Sequence, residues 1–281
     1  MVKMGNVWDR TGEVLNGRGG MLAGIAMLTL FVPSLIAAAY KAYATPSTTS
    51  TIVALILTLA TTIVALWGQL AIIAASTDPA TGTADARAEA NRRLPAALLV
   101  GIVMGIVVAL VFTPAFVLLA MAGFDFAAMS GGAQPAPTAP GFAGLAAIYM
   151  LLILVVLLFV GARFLPLYAV VLHERRGLGA FGRSWRLTRR HMWRLVGAVL
   201  LFMVVLVIAT WAAQSVGGLV VRLILGGDAQ ATVTFLAAAI GQMVSTALTL
   251  VAIVFSAQLY VALLDRERLL QARAEQRVAE A

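Results

Sequence analysis

Side chains that could do chemistry are few and scattered in this sequence. The 281 residues include two histidines, His173 and His191, 12 acidic residues and no cysteine, which excludes thiolate metal sites and cysteine nucleophiles. No histidine or carboxylate cluster has metal-ligand spacing, no glycine-rich phosphate loop follows a strand, and no G-x-S-x-G elbow occurs. We therefore predict no catalytic, cofactor-binding or metal-binding residue and no cofactor, and we expect that the protein is not an enzyme.

One cation, Arg163, lies inside a long apolar run, about ten residues before Glu174. At about 1.5 Å per residue, this separation places Arg163 near the middle of a bilayer. A charge there costs about 2.5–3.5 kcal/mol, so it should face other helices. Arg163 could bind an anion or a lipid phosphate. The favoured alternative is structural, with hydrogen bonds to carbonyls freed by Pro166 or to the glutamines of other spans, Gln69, Gln214, Gln242 and Gln258.

The segment 178–195 has the pattern of an amphipathic helix. Its apolar stripe contains Leu178, Phe181, Trp185, Thr188, Met192 and Leu195. The other side carries four arginines, Arg183, Arg186, Arg190 and Arg194. Such a helix lies in the headgroup plane with its cations toward lipid phosphate. We therefore predict that these four arginines contact lipid or another anion, as Arg163 could, and that Phe181, Trp185 and Trp193 anchor the interface.

Long apolar runs must position these residues. The chain is 62% hydrophobic and only 11% charged, whereas soluble domains carry about 25% charged residues. Lipid offers no partner for free backbone groups, so each run must be helical. The fold class is therefore an all-α polytopic transmembrane bundle, a single membrane domain of residues 1–281. Its six spans are expected at about 21–41, 51–76, 95–122, 145–172, 195–216 and 231–264.

Basic residues alternate with these spans. The N-terminal segment, 77–94, 173–194 and the tail hold 17 of the 20 Lys and Arg residues, and the net charge is +8. Positive charge resists translocation, so the basic segments should be cytoplasmic, as should both termini. We therefore expect a multi-pass protein of the inner (cytoplasmic) membrane. The cations should meet anionic lipid headgroups and not nucleic acid. The first run is too long for a cleaved signal, so we expect an uncleaved span.

Three basic segments share one design, a short amphipathic stretch that leads into a span. The clearest is 178–195, residues 1–20 repeat it weakly, and 77–94 is the poorest copy. This pattern predicts three hairpins, each introduced by a cytoplasmic interfacial helix. Residues 265–281 form a cytoplasmic tail. Two GxxxG pairs, Gly20–Gly24 and Gly101–Gly105, would allow close contact between helices.

Several of these residues form a pattern that resembles a known family. Its members are Arg163, Pro166, Glu174, the run from Arg183 to Arg189, Trp193, Arg194, Gly197, Tyr260, Asp265, Arg266 and Glu267. Over roughly 160–268 the chain resembles the membrane domain of glycerophosphoryl diester phosphodiesterases and related uncharacterised bacterial inner-membrane families. The resemblance implies a membrane domain without the soluble barrel that performs hydrolysis. It assigns no role to Arg163 or Arg183.

These observations predict a non-catalytic integral membrane protein. It could bind or organise lipid, or dock a partner enzyme through 178–194. The alternative is a passive transporter that handles anions or lipid through Arg163. A lipid enzyme is a third class, disfavoured because acid, base and metal groups are missing. The expected partners are membrane lipids with anionic headgroups, together with a possible partner protein.

Overall fold

The protein is a bundle of helices in a computed structural model that describes residues 4–45, 47–126, 138–189, 192–226 and 229–280. The described part of the chain is about 90% helical and contains no strand. It has nine α-helices: α1 Met4–Ala26, α2 Val32–Tyr43, α3 Thr48–Thr77, α4 Thr83–Met121, α5 Pro140–Arg163, α6 Leu167–His173, α7 Gly179–Thr188, α8 Met192–Leu225 and α9 Gln230–Ala279. A π-helical turn, Met27–Phe31, joins α1 to α2 without a break.

Six rods of this bundle are long and apolar enough to cross a membrane, which confirms the predicted fold class and number of spans. They are Met4–Tyr43, Thr48–Thr77, Thr83–Met121, Pro140–His173, Met192–Leu225 and Gln230–Ala279. α3 packs on α4, α4 on α5, α5 on α8 and α8 on α9, and α9 returns to α1, α2 and α3. α9 contacts the most helices and is the central element of the bundle.

The two ends of the bundle are packed very differently. At the arginine-rich end, the buried residues are 70–76 of α3, 253–260 of α9 and five of the seven residues of α6. We call this end the basic layer; it also contains the first part of α1, the first part of α4, and α7. At the other end most large apolar side chains are exposed. In α8 only Leu195 and Val196 are buried among the described residues.

Helix lengths explain this contrast. α5 ends at Arg163 after 24 residues, about 36 Å, which is enough to cross the ~30 Å hydrocarbon core. In α4 the apolar stretch begins just after Arg93, and Trp67 of α3 donates a hydrogen bond to Asn91 at 2.7 Å. We infer that Arg163, Arg93 and Trp67 mark one hydrocarbon boundary. The basic layer therefore lies outside the hydrocarbon, and α9 continues through it.

Only one of the three predicted interfacial helices is a separate element. The helix predicted over residues 1–20 runs into the first span without interruption, as part of α1. The poorest copy, 77–94, contains a turn and then the start of α4. Only α7 of the clearest copy is an independent helix. Amphipathic pattern does not encode a break. Gly19 and Gly20 stand at the first boundary and Pro95 at the second, yet α1 and α4 continue through them, so residues that disfavour a helix do not end it here.

The GxxxG pairs do not make the close contacts expected of them. A Cβ added at Gly20, Gly24 or Gly105 would meet no atom within 4 Å, and one at Gly101 would sit 3.5 Å from the Tyr168 hydroxyl. The tight approach occurs instead at Gly68 of α3, where an added Cβ would overlap the side chain of Thr29 in the π-helical turn. Because the partner lies on another helix, spacing along one helix does not reveal it.

Candidate functional site

Arg163 ends α5, at a turn that separates α5 from α6. Its carbonyl accepts hydrogen bonds from Ser184 Oγ at 2.8 Å and from Thr188 Oγ1 at 3.3 Å. Both donors lie on α7 and are fully buried. In a continuing helix the Arg163 carbonyl would accept from the Leu167 N–H, but that N–H donates to the Phe164 carbonyl instead, and Pro166 has no N–H to offer the carbonyl before it. α7 supplies the missing donors and is thereby fixed against the end of the span.

The guanidinium of Arg163 is covered by α7 and by the first residue of α8. Nη1 donates to the Trp185 carbonyl at 3.3 Å, Nη2 donates to Met192 Sδ at 3.1 Å, and the charge lies 4.4 Å from the centre of the Trp185 ring. The residue is 9% exposed, and its Nε is buried without a hydrogen-bond partner among the described residues. These contacts agree with the structural alternative for Arg163.

The structure changes two parts of the Arg163 interpretation. α5 ends at Arg163 after 24 residues, which is long enough to cross the hydrocarbon, so we infer a position at its boundary in place of the predicted midplane. The Nη donors also reach the Trp185 carbonyl of α7 and Met192 at the start of α8, and not a glutamine on another span. Gln258 donates to the Ser76 carbonyl at 2.6 Å, and Gln242 donates to Thr246. In the sequence the apolar run continues past Arg163 through Leu165 and Leu167, so hydropathy alone does not reveal the turn between α5 and α6.

Arg183 joins three elements of the basic layer. Its Nε donates to both carboxylate oxygens of Glu174, at 2.8 and 3.0 Å, and its two Nη atoms donate to the two oxygens of Glu267. Hydrogen bonds to Glu267, and then to Glu174, raise the pKa of Arg183 above its ordinary value despite the opposing effect of burial. The guanidinium stays charged, and it is held by protein carboxylates where we had expected lipid phosphate.

Of the other residues predicted to belong to the site, some pack against protein inside the basic layer and others are exposed at its surface. Phe181 and Trp185 pack on Phe164, with ring centres 5.4 and 6.0 Å apart, so they contact protein as well as the surface. Trp193 is 77% exposed, as an interfacial anchor should be. Arg186 and Arg194 are exposed, and Arg190 lies outside the described residues.

Arg18 is a residue of the basic layer that the sequence did not single out. Its guanidinium donates to the carbonyls of Ala75, Asp78, Pro79 and Thr81, at distances of 2.5 to 3.1 Å. These carbonyls belong to the end of α3 and the turn that follows. A cation suits a helix C-terminus. Only the tertiary fold shows that Arg18 of α1 reaches it.

A crevice of about 680 Å³ opens among α3, α4, α6 and α9, beside the basic layer. Its walls are mainly apolar, with contributions from Leu59, Leu66, Leu98, Ile102 and Ile253. Five polar side chains also line it: Thr61, Thr62, Gln69, Tyr168 and Thr249. Along α3 the crevice extends from Leu59 to Gln69, about 15 Å, so it lies in the half of the hydrocarbon next to the basic layer.

A second cavity, of about 550 Å³, lies on the outer side of the basic layer, beside Glu174, Arg183 and Tyr260. The His173 ring stacks on Tyr260 with centres 5.7 Å apart, and its Nε2 lies 2.9 Å from Thr77 Oγ1. Within the described ranges, no three His, Asp or Glu side chains are grouped so that they could hold a metal.

Comparisons with known proteins identify a family but no function. No curated protein and no solved structure matches the chain. The model of a family described as a domain of unknown function, DUF7847, matches residues 10–263. These residues include four of the six spans in full, most of the other two, and all the contacts of Arg163 and Arg183 described above except those to Glu267. The match covers far more than half of the 281 residues, and the chain therefore belongs to the DUF7847 family.

Proposed function

We propose that the protein is a non-catalytic membrane protein that binds a membrane lipid, or a similar long-chain amphiphile, in the crevice among α3, α4, α6 and α9. The observation that carries the proposal is the crevice itself. Its volume of about 680 Å³ falls in the ~300–1,000 Å³ range of ligand sites. It combines apolar walls with few polar groups, as such sites do. Because the crevice lies beside the basic layer, it is placed to hold the headgroup end of a lipid's acyl chain.

Transport through Arg163 is less well supported. α7 covers the guanidinium, and Trp185 and Met192 each accept a hydrogen bond from one of its two Nη atoms. The crevice ends at α6, and Leu167, Val170 and Val171 behind this end are at most 3% exposed. An anion would have to displace both α6 and α7 to pass. The proposal therefore assigns lipid binding to the crevice and a structural role to Arg163.

The orientation and setting of the protein belong to the same proposal. The basic layer faces the cytoplasm of a bacterial inner membrane, supported by the 17 cations of the four basic segments. A relationship to the membrane domain of glycerophosphoryl diester phosphodiesterases stays a prediction. So does the docking of a partner enzyme on α7, for which the exposed Arg186 and Arg189 would form the contact surface.

Native mass spectrometry in mild detergent tests the lipid site. Gly101→Leu projects a side chain into the crevice, whereas Gly105→Leu, one turn further on, points into open space and serves as the control. We expect Gly101→Leu to lose most of the co-purified lipid, and Gly105→Leu and Arg163→Leu to retain it. Equal retention by wild type and Gly101→Leu would contradict the proposal. Selective loss in folded Arg163→Leu would restore the alternative based on Arg163.

A further inference from the structure

The crevice contains hydrogen-bonding groups that the protein itself does not use. Four of its five polar side chains form no hydrogen bond within the described parts of the chain: Thr61, Gln69, Tyr168 and Thr249. All four are half-buried. The fifth, Thr62, donates to the Thr58 carbonyl at 2.8 Å. Polar groups in apolar surroundings normally have a hydrogen-bond partner, so these four favour a ligand that supplies one.

Two of these groups, Gln69 and Tyr168, belong to the end of the crevice next to the basic layer. Gln69 follows the boundary residue Trp67 by two positions, and residues 70–76 after it are buried in the basic layer. Tyr168 lies on α6, and its hydroxyl reaches back to the α4 wall, since a Cβ added at Gly101 would lie 3.5 Å from it. At this end of the crevice the hydrocarbon meets the polar interfacial region of a bilayer.

The lining of the crevice carries no formal charge in the part of the chain that the structure describes. Its unpaired groups are hydroxyls and one carboxamide, which are neutral and can donate. A phosphate drawn into such a site would lose water without gaining a counter-charge, which is unfavourable. The buried Leu167, Val170 and Val171 of α6 also separate the crevice from the basic layer behind them. The lining therefore favours a lipid whose polar end is uncharged.

We propose that the crevice selects an uncharged glycerolipid of the diacylglycerol class. One acyl chain lies against the apolar walls of α3 and α4. The ester carbonyls and the free hydroxyl of the glycerol form hydrogen bonds with Gln69 and Tyr168. This inference rests on the proposed function, because it takes the crevice as the lipid site. It adds the chemical class of the lipid and two residues that recognise it.

The test compares a diacylglycerol with phosphatidylglycerol of identical chains, titrated into delipidated protein and measured by native mass spectrometry. Tyr168→Phe and Gln69→Leu each remove the polar group and keep most of the side-chain volume. Tyr149→Phe is the matched control, because the Tyr149 hydroxyl donates to the Val111 carbonyl at 3.0 Å and lies outside the crevice. We expect wild type and Tyr149→Phe to bind the diacylglycerol more tightly than phosphatidylglycerol. Tyr168→Phe and Gln69→Leu should each bind the diacylglycerol about fivefold more weakly, as the loss of one neutral hydrogen bond predicts.

The outcomes separate the polar contacts from the chain site. Equal or tighter binding of phosphatidylglycerol by wild type overturns the selection of an uncharged lipid. Unchanged diacylglycerol binding in Tyr168→Phe and Gln69→Leu, or an equal loss in Tyr149→Phe, overturns the role of the two side chains. If Gly101→Leu still weakens the binding of both lipids, the proposed function stands without this inference. If Gly101→Leu binds both lipids as wild type does, the chain site fails and the inference fails with it. Tyr168→Phe removes one oxygen that bonds no described protein group, so the fold should stay intact.

Discussion

Arg163 and Arg183 illustrate how a charged residue in a membrane protein can serve packing. Each binds groups of α7 or of its neighbours through several donors, and each has a side chain mostly removed from water. Arginine suits this role because its planar group offers five donors in a fixed geometry. At the scale of single residues, Arg163 and Arg183 belong to the pattern that resembles a known family, and both hold the short helix α7 against the rest of the bundle.

Breaking the double ion pair of Arg183 should destabilise the protein more than breaking a surface pair. Arg183→Leu leaves two carboxylates facing each other, but Glu267 remains 37% exposed and can hydrate. We expect a loss of about 2–3 kcal/mol, below the ~3–5 kcal/mol of a fully buried pair. The measurement is thermal or denaturant unfolding in detergent.

Arg10→Leu is the matched control for this comparison. Arg10 pairs with Asp265 at 3.5 Å, and both side chains are about half exposed. A pair of this kind contributes about 0–1 kcal/mol. Equal destabilisation by the two substitutions would show that Arg183 is no more than a surface cation. Arg183→Lys should restore little stability, because an ammonium cannot bind both carboxylates in the bidentate manner.

At the scale of elements, helix ends determine the architecture. α5 and α6 read as one apolar run, yet the turn after Arg163 separates a span from a helix of the basic layer. α9 shows the opposite case, since 50 residues form one helix that crosses the hydrocarbon and continues through the basic layer. At 1.5 Å per residue α9 is about 75 Å long, far more than the ~30 Å hydrocarbon core requires.

Shortening α9 from its C-terminal end should leave the stability of the protein unchanged as far as Arg268 and lower it sharply beyond that residue. Every described residue from Arg268 onward is exposed, whereas Leu263 is 4% exposed and Glu267 binds Arg183. A chain that ends after Arg268 should keep its melting temperature. One that ends after Leu264 should lose about 1.5–3 kcal/mol, because hydrogen bonds to charged groups are lost. The measurement is thermal unfolding of both proteins in detergent, and a gradual decline across 265–280 would contradict the packing described here.

The whole molecule consists of a tightly packed layer beside loosely packed spans. In the first span and in α9 the most apolar 18-residue windows are 28% and 56% buried, while in the other four the share is 6–11%. Apolar side chains need no protein partner in lipid, so loose packing there costs little. In the basic layer water is the alternative solvent, and burial in a close-packed core is favoured. The crevice lies at the border between the closely packed basic layer and the loosely packed spans.

The arrangement of the ends can be tested with single cysteines, since the natural chain has none. Trp8 packs on Phe255 and Arg10 pairs with Asp265, so both terminal segments share the basic layer. Gly5→Cys and Gln271→Cys should react with an impermeant thiol reagent from the same face, the cytoplasmic one in the proposed orientation. Gly141→Cys, at the start of α5, should react from the other face. Reaction of the first two from opposite faces would contradict the fold.

The sequence by itself determined the class of the protein and the number of its spans. Apolar runs of spanning length require helices in lipid, and alternating basic segments predict that both termini share one face. These properties follow from local composition, which a single chain displays directly. For the same reason the sequence placed Arg183 in an amphipathic segment, 178–195, and Arg163 inside the fourth apolar run.

Only the tertiary structure decided which of these residues meet, and where the spans end. The pairing of Arg183 with Glu267 joins residues 84 positions apart, and Arg18 reaches carbonyls 57 to 63 positions away. The crevice has walls from four helices and, through Leu30, from the π-helical turn, and none of these elements is distinctive alone. Such contacts depend on how the helices pack around α9. Periodicity along one helix gives the direction in which a side chain points, but not the partner that it meets.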